Sequence, residues 1–201
     1  MKQTSNVKGQ LINSAIELIS ARSYTAVGVQ ELCERVGVTK GSFYHYFPSK
    51  RDLTLEAIDA MWEFYRREFL DPILSSNLPT LEKFYRLLEA FYVRHRSDKE
   101  TKGWMTGCKL GNLALELSTQ DEVIRQKLEQ IFQEWTECFE RTLKEAVATG
   151  ELSADTDTFA TAQAVLAYME GLTLLGKTFN DPDFIRRLTP GVLKLVIEKE
   201  A

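Results

Sequence analysis

Between Val29 and Leu53 the chain reads VQELCERVGVTKGSFYHYFPSKRDL, and this stretch constrains the fold more than any other. Gly37-Val38 is a tight turn between two short helix-length segments. Thr39 is a good N-cap for the second of them, and Pro48-Ser49 ends it. On a helix begun at Thr39, Phe43 and Phe47 share one face with Tyr46 beside them. That face can close over Ile16, Ile19, Leu32 and Cys33, leaving Lys40, Gly41, Tyr44 and His45 on the solvent side. The aromatic run FYHYF therefore divides between a core and an outward surface. Two short helices across a tight turn are a helix-turn-helix, and the second is the right size to enter a DNA major groove. Lys40 can reach a phosphate or a guanine edge, and Gly41 allows close backbone approach. The Thr39 hydroxyl and the first free N–H groups of the helix can hold a phosphate. Tyr44 and His45 can donate to phosphates or touch a thymine methyl, while Gln30 and Lys50 begin flanking helices within reach of the DNA backbone.

Charge supports this placement. Residues 1–51 hold seven Lys/Arg against three acids, while the rest holds eighteen against twenty-six. A basic head on an acidic body predicts that the head alone meets a polyanion. The remaining pattern is helical, with five prolines and no strand-like alternation over a useful length. The expected class is all-α, about nine helices, with a DNA-binding domain over residues 1–50 and a second domain over 51–201. Expected helices beyond the head are 49–74, 80–96, 107–117, 121–149, 156–179 and one from Asp181-Pro182 that Pro190-Gly191 should kink or divide. The polar segment ending at Gly103 reads as a linker. No apolar span of membrane length and no signal segment is present, so a cytoplasmic protein is expected. Three scattered cysteines, Cys33, Cys108 and Cys138, suggest neither a disulfide framework nor a zinc site. His45 and His95 have no metal-ligand spacing. With no phosphate-binding loop and no assignable triad, neither an enzyme nor a cofactor is expected.

Over about residues 8–55 the sequence closely resembles the DNA-binding signature of the TetR family of bacterial repressors. The resemblance implies operator contacts by Thr39, Lys40, Gly41, Tyr44, His45 and Lys50, with Gln30 and Ser42 nearby. It also implies a C-terminal helical domain for dimerisation and sensing, and double-stranded operator DNA as partner. The stretch GWMTGCKLGNLALELS, Gly103 to Ser118, resembles the NemR-like subgroup that answers electrophiles and oxidants. That likeness implies a reactive Cys108 with Lys177 as its partner. Chemically, Cys108 near a helix start and beside Lys109 could be activated as a thiolate, or could be a small core hydrophobe. The other sensor open to such a chain is an aromatic pocket for a small organic ligand. Trp62, Tyr65, Phe69, Leu88, Phe91, Trp104, Met105, Trp135 and Phe139 are its candidates. Small and apolar positions on the last two long helices, among them Phe159, Gly171, Leu174 and Leu175, suggest a homodimer interface.

Overall fold

The computed structural model describes residues 4–197. Among them the chain is helical: α1 (Thr4–Ala21), α2 (Val29–Val36), α3 (Lys40–Tyr46), α4 (Lys50–Tyr65), a π-helical turn (Arg66–Leu70), α5 (Asp71–Leu74), α6 (Thr80–Lys102), α7 (Lys109–Leu117), α8 (Glu122–Thr149), α9 (Thr158–Phe179) and α10 (Asp183–Ile197). Since α4, the π turn and α5 follow one another without a break, they form the single expected run to Leu74. Among the described residues no helix is long and apolar enough to cross a membrane.

Two compact units divide the chain, one of residues 1–64 with 109–129, the other of 65–108 with 130–201. The first unit is thus larger than the expected head of fifty residues. The reason is a set of ties within it. Asp121 accepts from Arg51 at 2.6 Å, and Lys127 pairs with Asp59 at 2.5 Å. Its core is apolar side chains from each short helix: Leu11, Ala15, Leu32, Phe43, Phe47 and Ile58, all at most 2% exposed.

In the second unit α10 packs on α6 and α9. Ile185, Val192 and Val196 of α10 are buried there, so this part of the expected dimer stripe is intrachain core. Phe159, Leu174, Leu175 and Phe179 on α9 remain exposed, with Leu188 on α10. Two expectations are corrected here. The polar segment 97–102 is the end of α6 and not a linker. Pairs four residues apart (Arg96–Glu100, Asp98–Lys102) support it, Lys99 and Lys102 suit the C-terminal dipole, and Gly103 at φ 86 stops the helix. Likewise α10 runs undivided through Pro190. Gly191 leaves room there for the Tyr168 ring, whose hydroxyl donates to the Leu188 carbonyl at 3.2 Å.

Candidate functional site

The outward surface of α3 is built by its cap and its turn. Gly37 takes a left-handed conformation, φ 74, and its N–H closes α2 on the carbonyls of Cys33 and Glu34. Thr39 is extended, and its hydroxyl accepts from the Ser42 N–H at 3.2 Å. These two devices aim the N-terminal end of α3 outward. Phe43 and Phe47 are fully buried with ring centroids 5.8 Å apart, whereas Tyr44 is 54% exposed. Gln30, Thr39, Lys40, Gly41 and His45 are also exposed, and Ser42 is half-buried. A Cβ on Gly41 would meet only the Thr39 hydroxyl oxygen, at 3.7 Å. The protein's own packing therefore does not require glycine at that position.

Lys50 has an internal task that its place in the sequence did not reveal. Its ammonium donates to the Tyr24 and Val27 carbonyls at 2.9 and 3.0 Å, and lies 3.9 Å over the Tyr24 ring. Burial lowers its pKa, opposed by the charge of Glu116. From the other side Glu116 of α7 accepts from the Tyr24 N–H at 2.8 Å, and from the Thr25 N–H and hydroxyl at 3.0 Å each. Burial raises the Glu116 pKa, but these hydrogen bonds from Thr25 and Tyr24 outweigh it and hold the carboxyl below its usual range. The turn between α1 and α2 is thus clamped by an anion on its N–H groups and a cation on its carbonyls. Glu116→Ala should destabilise the first unit by about 1–2 kcal/mol, discounted because water can reach the freed N–H groups. Urea titration checks this, and Glu116→Gln should recover part of the loss.

The second unit contains a small, partly open cavity of about 20 Å³, room for one water as it stands. The rings of Tyr65, Phe91 and Trp135 form much of its wall, with Tyr65 and Trp135 centroids 5.5 Å apart. Besides the ring residues, four polar residues line it: His95, Cys108, Glu170 and Thr173. His95 is 4% exposed and its Nδ1 has no hydrogen-bond partner. Burial drives its pKa down to about 4 despite the nearby carboxylate of Asp98, so the ring is neutral. Burial raises the pKa of Glu170, whose carboxyl is hydrogen-bonded to Cys108. Cys108 itself is 6% exposed and immediately precedes α7 rather than lying inside it. The loop leading to it is firmly held. Asp98 accepts from the Thr106 hydroxyl at 2.6 Å, and Asn180 bonds the Met105 N–H at 2.9 Å and the Gly103 carbonyl at 3.1 Å.

Of the nine aromatic and apolar candidates, Tyr65, Leu88, Phe91 and Trp135 reach this cavity. Phe69 lines an outer groove. Trp104 is 52% exposed on the surface, Phe139 packs on Phe84 at 5.5 Å, Met105 packs against Gly176, and Trp62 is buried in the first unit. Lys177 is exposed, but its alkyl stem lies on Gly107, where a Cβ would be 3.1 Å from its Cδ. Sequence reasoning missed His95 and Glu170 as cavity residues. Their placement inside one cavity depends on how α6 and α9 pack, which periodicity does not show.

Comparison with known proteins agrees with this architecture. Residues 11–57 match the bacterial regulatory proteins of the tetR family, and residues 82–192 match the tetracyclin repressor-like C-terminal domain. The transcriptional regulator AcuR of Cereibacter sphaeroides is 35% identical over 183 residues, covering 89% of this chain and 80% of that one. The crystal structure of a regulatory protein TetR from Rhodobacter sphaeroides superposes with a TM-score of 0.81 at 30% identity, over 94% of this chain and 98% of that chain. The Escherichia coli transcriptional repressor NemR is more distant, 25% identical over 62% of this chain and 61% of its own length. An outward α3 on a basic head, a separate helical body and these matches over both parts lead to one conclusion: the chain belongs to the TetR family of DNA-binding transcriptional regulators.

Proposed function

We propose that this regulator is a homodimeric repressor, released from its operator when a small organic ligand enters the cavity of the second unit. The observation that carries the reading is the buried, unpartnered Nδ1 of His95, a residue that lines the same cavity as Glu170. Buried polar atoms are normally satisfied, and an orphan in a cavity wall is a place for a ligand atom. An apolar cavity of about 150 Å³ admits benzene, so one of about 20 Å³ must open to take any organic molecule. Opening it displaces wall residues, Cys108 among them. The chain passes from Cys108 directly into α7, which carries Glu116 and its grip on Tyr24 and Thr25. The exposed stripe of Phe159, Leu174, Leu175 and Phe179 supports pairing of two copies. Pairing would place two reading heads about one DNA turn, roughly 34–36 Å, apart on a pseudo-palindrome. Thr39, Lys40, Gly41, Ser42, Tyr44 and His45 are the proposed contacts, with Gln30 at the flank.

A thiol switch at Cys108 is the rival reading, favoured by the Lys177 stem against Gly107. The setting of Cys108 argues against it. Reactive thiolates occupy exposed, electropositive sites, and this thiol is buried against a carboxyl. Gel shifts of wild type and Cys108→Ser distinguish the two. A screen of compact organic compounds for raised melting temperature should yield one that releases both proteins from DNA alike. Release of the wild type alone, by N-ethylmaleimide or hypochlorite, would overturn the ligand reading in favour of the thiol.

A further inference from the structure

The second unit also carries an open surface groove of about 490 Å³, lined by Phe69, Ile73, Leu78, Arg86, Glu89 and Val93. Its mouth shows apolar side chains to solvent, with Val93 55% and Leu78 39% exposed. Its two charged residues are already occupied, Arg86 by Glu82 and Glu89 by Arg186. What the groove offers a visitor is therefore mainly apolar surface.

One cluster of rings contributes to the walls of both groove and cavity. Phe69 lines the groove, whereas Tyr65 and Phe91 line the cavity. The Phe69 centroid lies 5.3 Å from that of Phe91 and 6.2 Å from that of Tyr65, and the latter two are 6.1 Å apart. Moreover Phe69 belongs to the π-helical turn, closed by the Asp71 N–H on the Arg66 carbonyl five residues back. Such turns are rare and are frequently found at functional sites. The side chain beside both spaces thus sits on the one π turn of its helical run.

We infer that the groove is the vestibule of the cavity and that the Phe69 ring is its gate. It admits compact, uncharged organic molecules to His95, Cys108 and Glu170. Outward rotation of this ring breaks its contacts with Tyr65 and Phe91 and joins the two spaces. A charged visitor would leave water for a cavity whose imidazole is neutral, which selects against ions. The inference deepens the ligand reading, but its test does not depend on that reading. Cys108 serves there simply as a reporter in the cavity wall, whether or not it senses anything in the cell.

The test is the rate at which N-ethylmaleimide, a compact uncharged probe, labels each cysteine of the full-length protein, read by peptide mass spectrometry. Phe69→Ala should speed labelling of Cys108 roughly tenfold, the factor expected when access is limited by breaking ring–ring contacts. Phe69→Trp should slow it. Val93→Trp narrows the groove from its exposed side, leaving Phe69 in place, and should slow Cys108 labelling as well. Cys33, buried in the first unit, should keep its rate throughout. Equal Cys108 rates in all four proteins would overturn the gate. So would a Phe69→Ala increase shared by Cys33, which would mark general loosening, or a Val93→Trp protein labelled as fast as wild type.

Discussion

Phe43→Ala is expected to destabilise the reading head by about 3–5 kcal/mol, while Tyr44→Ala, one residue on, should change stability by less than about 1 kcal/mol. The first ring is fully buried against Phe47, and the second is 54% exposed. Deleting the first leaves a cavity among Leu32, Phe47 and their neighbours that a small helical core cannot refill. Deleting the second removes an edge-on contact with Phe43 at 5.2 Å and one outward hydroxyl. Operator affinity should respond in a complementary way. Tyr44→Ala should bind roughly tenfold more weakly while melting near the wild-type midpoint. Urea titration by circular dichroism, set beside gel shifts on the same preparations, separates the two effects. Similar stability loss in both variants would contradict the division of the FYHYF run into core and contact faces.

The second large effect concerns acid. His95 has a folded pKa of about 4 against an ordinary 6.5, because burial penalises its charged form. Asp98 opposes the shift, whereas Arg94 and Lys102 reinforce it. The unfolded chain therefore binds a proton below pH 6.5 that the folded chain refuses. Stability contributed by the neutral ring is fully present above pH 6.5 and is lost as pH falls toward 4. The loss amounts to about 3 kcal/mol across that window. His95→Phe should flatten this acid limb and cost little at pH 7, since it also removes the unsatisfied Nδ1. Urea midpoints at pH 7, 5.5 and 4 measure the difference directly. Parallel pH profiles for the two proteins would show that His95 is not held neutral.

How much of this was legible beforehand depends on the range over which each feature is determined. The turn at Gly37, the cap at Thr39 and the faces of Phe43 and Tyr44 follow from residues a few positions apart, and sequence reading places them well. The run 97–102 looked like a linker because every side chain in it is polar. It is helical because its charges pair one turn apart and Asp98 turns inward to hold Thr106. Pro190 looked like a break, yet packing of α10 on α6 and α9 carries the helix through it. Least legible were the long-range partners. Glu116 meets Tyr24 across 92 residues, and Lys50 turns back to carbonyls 23 and 26 residues earlier. No local pattern announces such pairs. The same holds for the cavity, whose wall draws on helices far apart in the chain, so only four of nine candidates reach it.

The central claim is sequence-specific DNA binding by the exposed face of α3. It is tested most directly by selecting ligands for the full-length protein from randomised duplex DNA. The selected sites are then titrated against wild type and Lys40→Ala at several salt concentrations. The expected result is a pseudo-palindromic site that takes up two copies of the protein. Its affinity should fall steeply with salt, and Lys40→Ala should bind more weakly with a salt slope smaller by about one. Failure to enrich any sequence, or a Lys40→Ala protein that binds the selected site as tightly as wild type, would contradict it.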